Sequence, residues 1–173
     1  MHLLHPPLNW RLYTTPRDKL FILENSLKIL RHNRAIFSRF LSHFSLEQLN
    51  TIPEGYNNTI FWNIAHCLVT LQRLVYGLSG LPLGIDAKWI ESYNKGTKPT
   101  RDVTKEEVEE LLQLFETTIT QLTKDVEEGV FKDYQAYTTS TKMELKSVED
   151  ALRFSLFHEG IHVGSVLALA KLV

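Results

Sequence analysis

The chain has 173 residues and a mass of 20.0 kDa, with 19 Lys and Arg against 20 Asp and Glu, a formal net charge of -1 and a pI near 6.7. That balance supplies no basic field, so the counterion release that dominates nucleic-acid binding has no source, and nucleic acid is not expected as a partner. A hydrophobic fraction of 43% with 23% charged residues fits a single globular domain. Cys67 is the one cysteine, which excludes an intrachain disulfide or a cysteine metal cluster and points to a reducing, cytoplasmic setting. No stretch offers about 18 apolar residues free of charge, so no membrane span is expected.

The opening "MHLLHPPLNW" carries Pro6 and Pro7 where a signal peptide needs an unbroken apolar core. Residues 1–14 read as an irregular leader in which His2 and His5 have no chemical role, and residues 15–173 as one domain. Helix 1 starts at Thr15, Pro16 and Asp18, a cap, a first-turn proline and a first-turn acid. Leu20, Leu23, Leu27, Leu30, Phe37, Leu41 and Phe44 then fall on one stripe to be buried, with His32 and His43 on the solvated face. Helix 2 opens after Asn57 and Asn58 and runs to about Leu78. It is apolar nearly all round, because Trp62, His66, Val69 and Tyr76 lie opposite its main stripe of Ile60, Ile64, Leu68, Leu71 and Val75.

The connection from Ser79 to Val103 is far longer than the roughly 2 to 8 residues usual between neighbouring helices, so it crosses the helices or covers a site. Helix 3 begins with a capping box in "TKEE", Thr104 with Glu107, and carries the stripe Val108, Leu112, Phe115, Ile119, Leu122 and Val126. The Tyr- and Thr-rich stretch Val130 to Val148 has the partial alternation of a short hairpin before helix 4. Helix 4 starts near Ser147 and runs almost to the end. Between Phe154 and Ala170 its only ionised side chain, histidines aside, is Glu159.

"FHEGIHVG", residues 157–164, contains H-E-x-x-H, which places His158 and His162 on one helix face one turn apart. Two imidazoles in that arrangement can share a divalent ion, and His66 in the middle of another apolar helix can supply a third donor. Spacing alone leaves a metal site and hydrogen-bonded core histidines both open. A metalloprotease does not fit, since the eleven residues after His162 include no His, Asp or Glu to serve as the downstream ligand. A di-iron carboxylate site does not fit either, because Asn63 stands where a second E-x-x-H would need its glutamate. Gly160 between the histidines suggests close approach of a neighbouring helix. Trp62, Trp89, Tyr93 and Tyr134 are either pocket-lining or core aromatics.

A histidine in helix 2, a long crossing loop containing "NKGTKP" and a last helix with H-x-x-x-H-x-G resemble the DinB/YfiT-like metalloenzyme family, from about Thr15 to Val173. The resemblance implies an all-α, four-helix bundle of up-down-down-up type, often a homodimer, with a divalent ion held by His66, His158 and His162. The family's frequent continuation H-R-G-Q reads "HVGS" here, so Val163 and Ser165 remove polar groups that could orient a substrate. Characterised relatives include thiol-dependent S-transferases and a thiol-dependent isomerase, which implies a low-molecular-weight thiol as cosubstrate.

Two functions follow as expectations. In the first, the chain is a divalent-metal-dependent enzyme that transfers a low-molecular-weight thiol to a small electrophile or activates water, with Glu159, Arg73 and Trp62 as supporting or substrate-binding residues. Zinc, nickel and iron all suit three imidazoles. Glu159 acts there as a base or meets a basic partner, and Arg73, seven residues after His66, faces an anionic substrate or a salt-bridge partner. In the second, the chain is a non-enzymatic dimeric helical module whose metal is structural or whose pocket senses a ligand.

Overall fold

The computed structural model describes residues 16–173, with side chains from residue 21 onward. The expected leader, with His2 and His5, and the expected cap at Thr15 lie outside the described residues. The chain is mostly helical: α1 (Pro16–His43), α2 (Leu46–Asn50), α3 (Ile60–Val75), α4 (Ala87–Tyr93), α5 (Lys105–Glu128) and α6 (Val148–Leu169). A two-stranded antiparallel ladder, β1 (Tyr137–Thr138) and β2 (Glu144–Leu145), pairs Tyr137 with Leu145 and Thr138 with Glu144. This is the hairpin expected before the last helix.

Local chemistry sets the helix ends. Thr59 caps α3 by accepting from the Trp62 amide at 3.0 Å. Thr104 and Glu107 form the expected capping box on α5, and Gly129 ends that helix at φ 63°, a left-handed conformation that costs glycine nothing. Two boundaries differ from expectation. The α3 helix stops at Val75 and tightens into a 3₁₀ turn over Gly77–Ser79 instead of continuing to Leu78. The α2 helix was not anticipated, although Ser45 and Gln48 form a full capping box at its start.

The four long helices contact one another in a ring, α1 against α5 and α6, and α3 against α5 and α6. The α3 helix is the most enclosed: apart from the half-buried Thr70 and the exposed Arg73, every residue in it is buried. One apolar cluster gathers Phe37, Leu41, Phe61, Leu111, Phe115 and Val166, with Trp89 and Tyr93 of α4. A second gathers Leu27, Leu30, Leu71, Leu122, Leu145, Leu152 and Phe154. Removing one of these buried phenylalanine rings would cost about 3–5 kcal/mol.

A polar layer lies between the two clusters. Along α1 it is Arg34, between Leu30 and Phe37; along α6 it is His158, Glu159 and His162, between Phe154 and Val166. Gly160 faces outward, and a Cβ there would meet nothing within 4 Å, so the expected close approach of a neighbouring helix is not found among the described residues. The glycine instead lies on the outer face of α6 with Phe157 and Ile161.

Candidate metal centre

His66 projects from the middle of α3 and His158 and His162 from successive turns of α6. Their ring centroids are 5.1 Å apart for His66 and His158, 5.0 Å for His66 and His162, and 4.6 Å for His158 and His162. One ring nitrogen from each lies within 4.8 Å of the others. An ion bound at about 2.1 Å to each nitrogen would set them about 3.4 Å apart, so small ring rotations suffice to close the set.

Hydrogen bonds orient two of the rings. His66 Nδ1 lies 2.7 Å from the Tyr93 carbonyl, which accepts only, so this nitrogen carries the proton and Nε2 is left as the donor to an ion. His162 Nδ1 lies 2.9 Å from Asn63 Oδ1, which fixes the same tautomer when the amide oxygen faces the ring. A carbonyl or amide oxygen on the outer nitrogen is the usual support for a metal-ligating histidine. Among the described residues His158 has no such partner. The Thr70 hydroxyl lies 3.3 Å from His66 Nε2, on the inner side.

The electrostatics favour the neutral ligand form. Burial lowers the His66 pKa, against an opposing contribution from the Tyr93 hydrogen bond. Burial first, then the neighbouring His162, His66 and Arg34, bring His158 down to about 3, and burial followed by His66 brings His162 to about 4. All three imidazoles are therefore neutral near pH 7, the state in which imidazole coordinates a cation. The donor set fits a divalent ion.

The cluster is open on one side. His66 and His158 line a solvent-open cleft of about 140 Å³, together with Thr70, Arg73, Asn94 and Lys95 on one side and Thr139 and Ser140 of the hairpin on the other.

Residues 29–166 match the sequence model of the DinB superfamily. The chain belongs to the DinB superfamily. The matched stretch is most of the chain and includes all three histidines. No curated relative matches it.

In this DinB-superfamily chain the other expected site residues occupy three different places. Trp62 stacks on His66 with centroids 4.7 Å apart and planes 10° from parallel, and its Nε1 donates to Thr97 Oγ1 at 3.1 Å. Arg73 reaches the cleft wall and donates from Nη1 to Asn94 Oδ1. Glu159 turns away from the histidines into the core, where it is fully buried and pairs with Arg34 at 2.7 Å while accepting from Asn33 at 3.2 Å. Of the two roles expected for Glu159, this position is that of a residue meeting a basic partner. Burial pushes its carboxyl upward against the pull of Arg34 and Asn33.

The crossing connection supplies more of the site than its sequence revealed. Its α4 helix packs Trp89 and Tyr93 into the core, and the chain leaving α4 delivers the Tyr93 carbonyl to His66 and Asn94 to Arg73. A backbone carbonyl has no sequence signature. Asn63 had one, being three residues before His66 and so on the same face of α3.

Proposed function

We propose that His66, His158 and His162 hold one divalent ion and that the protein is a metal-dependent enzyme acting on a small molecule in the adjoining cleft. The observation that carries this reading is the convergence of three neutral imidazoles, two of them tied through Nδ1, with His66 and His158 lining an open cleft. When bound, such an ion supplies Lewis acidity that favours the deprotonated form of a thiol or of water near neutral pH. The chain's own part is to hold the donor nitrogens, to keep Trp62 stacked behind His66, and to leave the cleft side open to a reactant. Resemblance to thiol-dependent relatives favours transfer of a low-molecular-weight thiol to a small electrophile, a reaction in which the thiolate sulfur attacks and the leaving group departs with its electron pair.

As part of the proposal, the long helices are read as an up-down-down-up bundle. Supporting this, Arg31 meets Thr123 and Phe37 meets Phe115, an antiparallel relation of α1 and α5, and Asn63 meets His162 while His66 lies beside His158, an antiparallel relation of α3 and α6. A reducing, cytoplasmic setting is read from the buried, lone Cys67. No helix among the described residues is long and apolar enough to cross a membrane.

A homodimer is also proposed, through the outer face of α6. Phe157, Ile161 and Leu167 are about half exposed there, with Gly160 and Gly164 between them. Knobs alternating with glycine depressions on one helix can be self-complementary about a two-fold axis. This face is what favours the second reading, a dimeric module without turnover. The two readings separate in one assay: metal-loaded protein is mixed with small thiols and a panel of electrophiles. Consumption of thiol above the uncatalysed rate, lost in His158→Ala, supports the enzyme, and no consumption with any pair leaves the module.

A further inference from the structure

We propose that the mouth of the histidine cleft is a carboxylate-binding subsite built on Arg73 and Lys95, and that the small molecule reacting there carries a carboxylate. This deepens the reading of the cleft as a substrate site and rests on it. The cleft is lined by two cations, Arg73 and Lys95, and by no aspartate or glutamate. Among the described residues Arg73 and Lys95 are, like several surface cations, without a carboxylate partner, and they are the two that face this cleft.

Arg73 is also held in place. Its Nη1 donates to the neutral Asn94 side chain, which orients the guanidinium without compensating its charge and leaves Nη2 and Nε free. A planar fork with two free donors matches a carboxylate better than any neutral group. Arg73 sits two helical turns, about 10 Å along α3, from His66, so a short molecule could place a reactive atom at the histidines and its carboxylate at the mouth. The Ser140 hydroxyl on the opposite wall is a further neutral donor. A concave site with cations of one sign also concentrates anions from solution. The carboxylate could belong to the thiol or to the electrophile.

The test is calorimetric binding to the full-length protein. Succinate should bind the metal-free protein, and Arg73→Gln should weaken that binding by about tenfold or more, with Arg73→Lys recovering part of it and Lys95→Gln costing less. Zinc content should be the same in Arg73→Gln and the wild type. On zinc-loaded protein, tighter binding of mercaptosuccinate than of 2-mercaptoethanol assigns the carboxylate to the thiol. Tighter binding of chloroacetate than of chloroacetamide, without that preference between thiols, assigns it to the electrophile. Absent succinate binding, or binding equal in Arg73→Gln and wild type, overturns the proposal. Failure to take up zinc overturns the histidine reading instead, and the succinate arm still reads the subsite because it uses no metal.

Discussion

His158 and Glu159 are neighbours in the chain and opposites in the structure. About 100° of helical rotation sends the imidazole to the cleft, among two other imidazoles and no anion, and sends the carboxylate into the core against Arg34. One cluster is a set of electron-pair donors with no cation among its members; the other is already charge-balanced, with Arg34 lying over the Phe115 ring at 4.4 Å. The comparison teaches that the H-E-x-x-H spacing describes two independent devices here, a donor set and an internal anchor. The anchor fixes α6 against α1, and the helix so fixed carries two of the three donors.

The sharpest way to break this comparison is Glu159→Ala. Leaving Arg34 buried without its partner should lower unfolding free energy by about 3–5 kcal/mol in urea denaturation, whereas the double variant Arg34→Met, Glu159→Leu should cost much less. If Glu159 worked in the cleft instead, Glu159→Gln would abolish turnover and leave stability untouched. On the donor side, Asn63→Leu removes the acceptor that orients His162. Metal affinity, measured by chelator competition, should fall about 10- to 100-fold, with a smaller effect on folding than Glu159→Ala.

Acid should separate the two devices further. His158 and His162 titrate at about 3 and about 4 in the folded chain, below their ordinary value of 6.5. Between those limits the unfolded chain binds more protons, so the stability of metal-free protein is full above pH 6.5 and declines as pH falls toward 4. The decline is up to about 1.4 kcal/mol per pH unit for each histidine. Urea midpoints at pH 7 and pH 5 should show it, and a His158→Ala, His162→Ala variant should flatten it. The smallest effect is expected for Trp62→Phe, which keeps a ring behind His66 and loses the hydrogen bond to Thr97, a change of about 1 kcal/mol or less in thermal or urea unfolding.

The long helices and the histidine cluster were legible because both depend on periodicity. An apolar stripe fixes which face of a helix is buried, and histidines at i and i+4 on such a face must converge. Partners set by tertiary approach were less legible. Arg34 lies within the helix 1 stripe between Leu30 and Phe37, and Glu159 is the lone acid of the apolar stretch from Phe154 to Ala170; two isolated charges of opposite sign in buried positions are each other's natural partners. Gly160 is illegible because its helix face meets no neighbour among the described residues, and on a helix apolar nearly all round a glycine gives no sign of which side it lies on. The Tyr93 carbonyl that orients His66 could come only from structure, because any residue presents the same backbone oxygen.

Elemental analysis of purified native protein beside the His158→Ala, His162→Ala variant tests the central claim most directly. The account predicts about one divalent ion per chain in the native protein and essentially none in the variant, with both chains folded by circular dichroism. Equal metal content in the two, at either level, would contradict it.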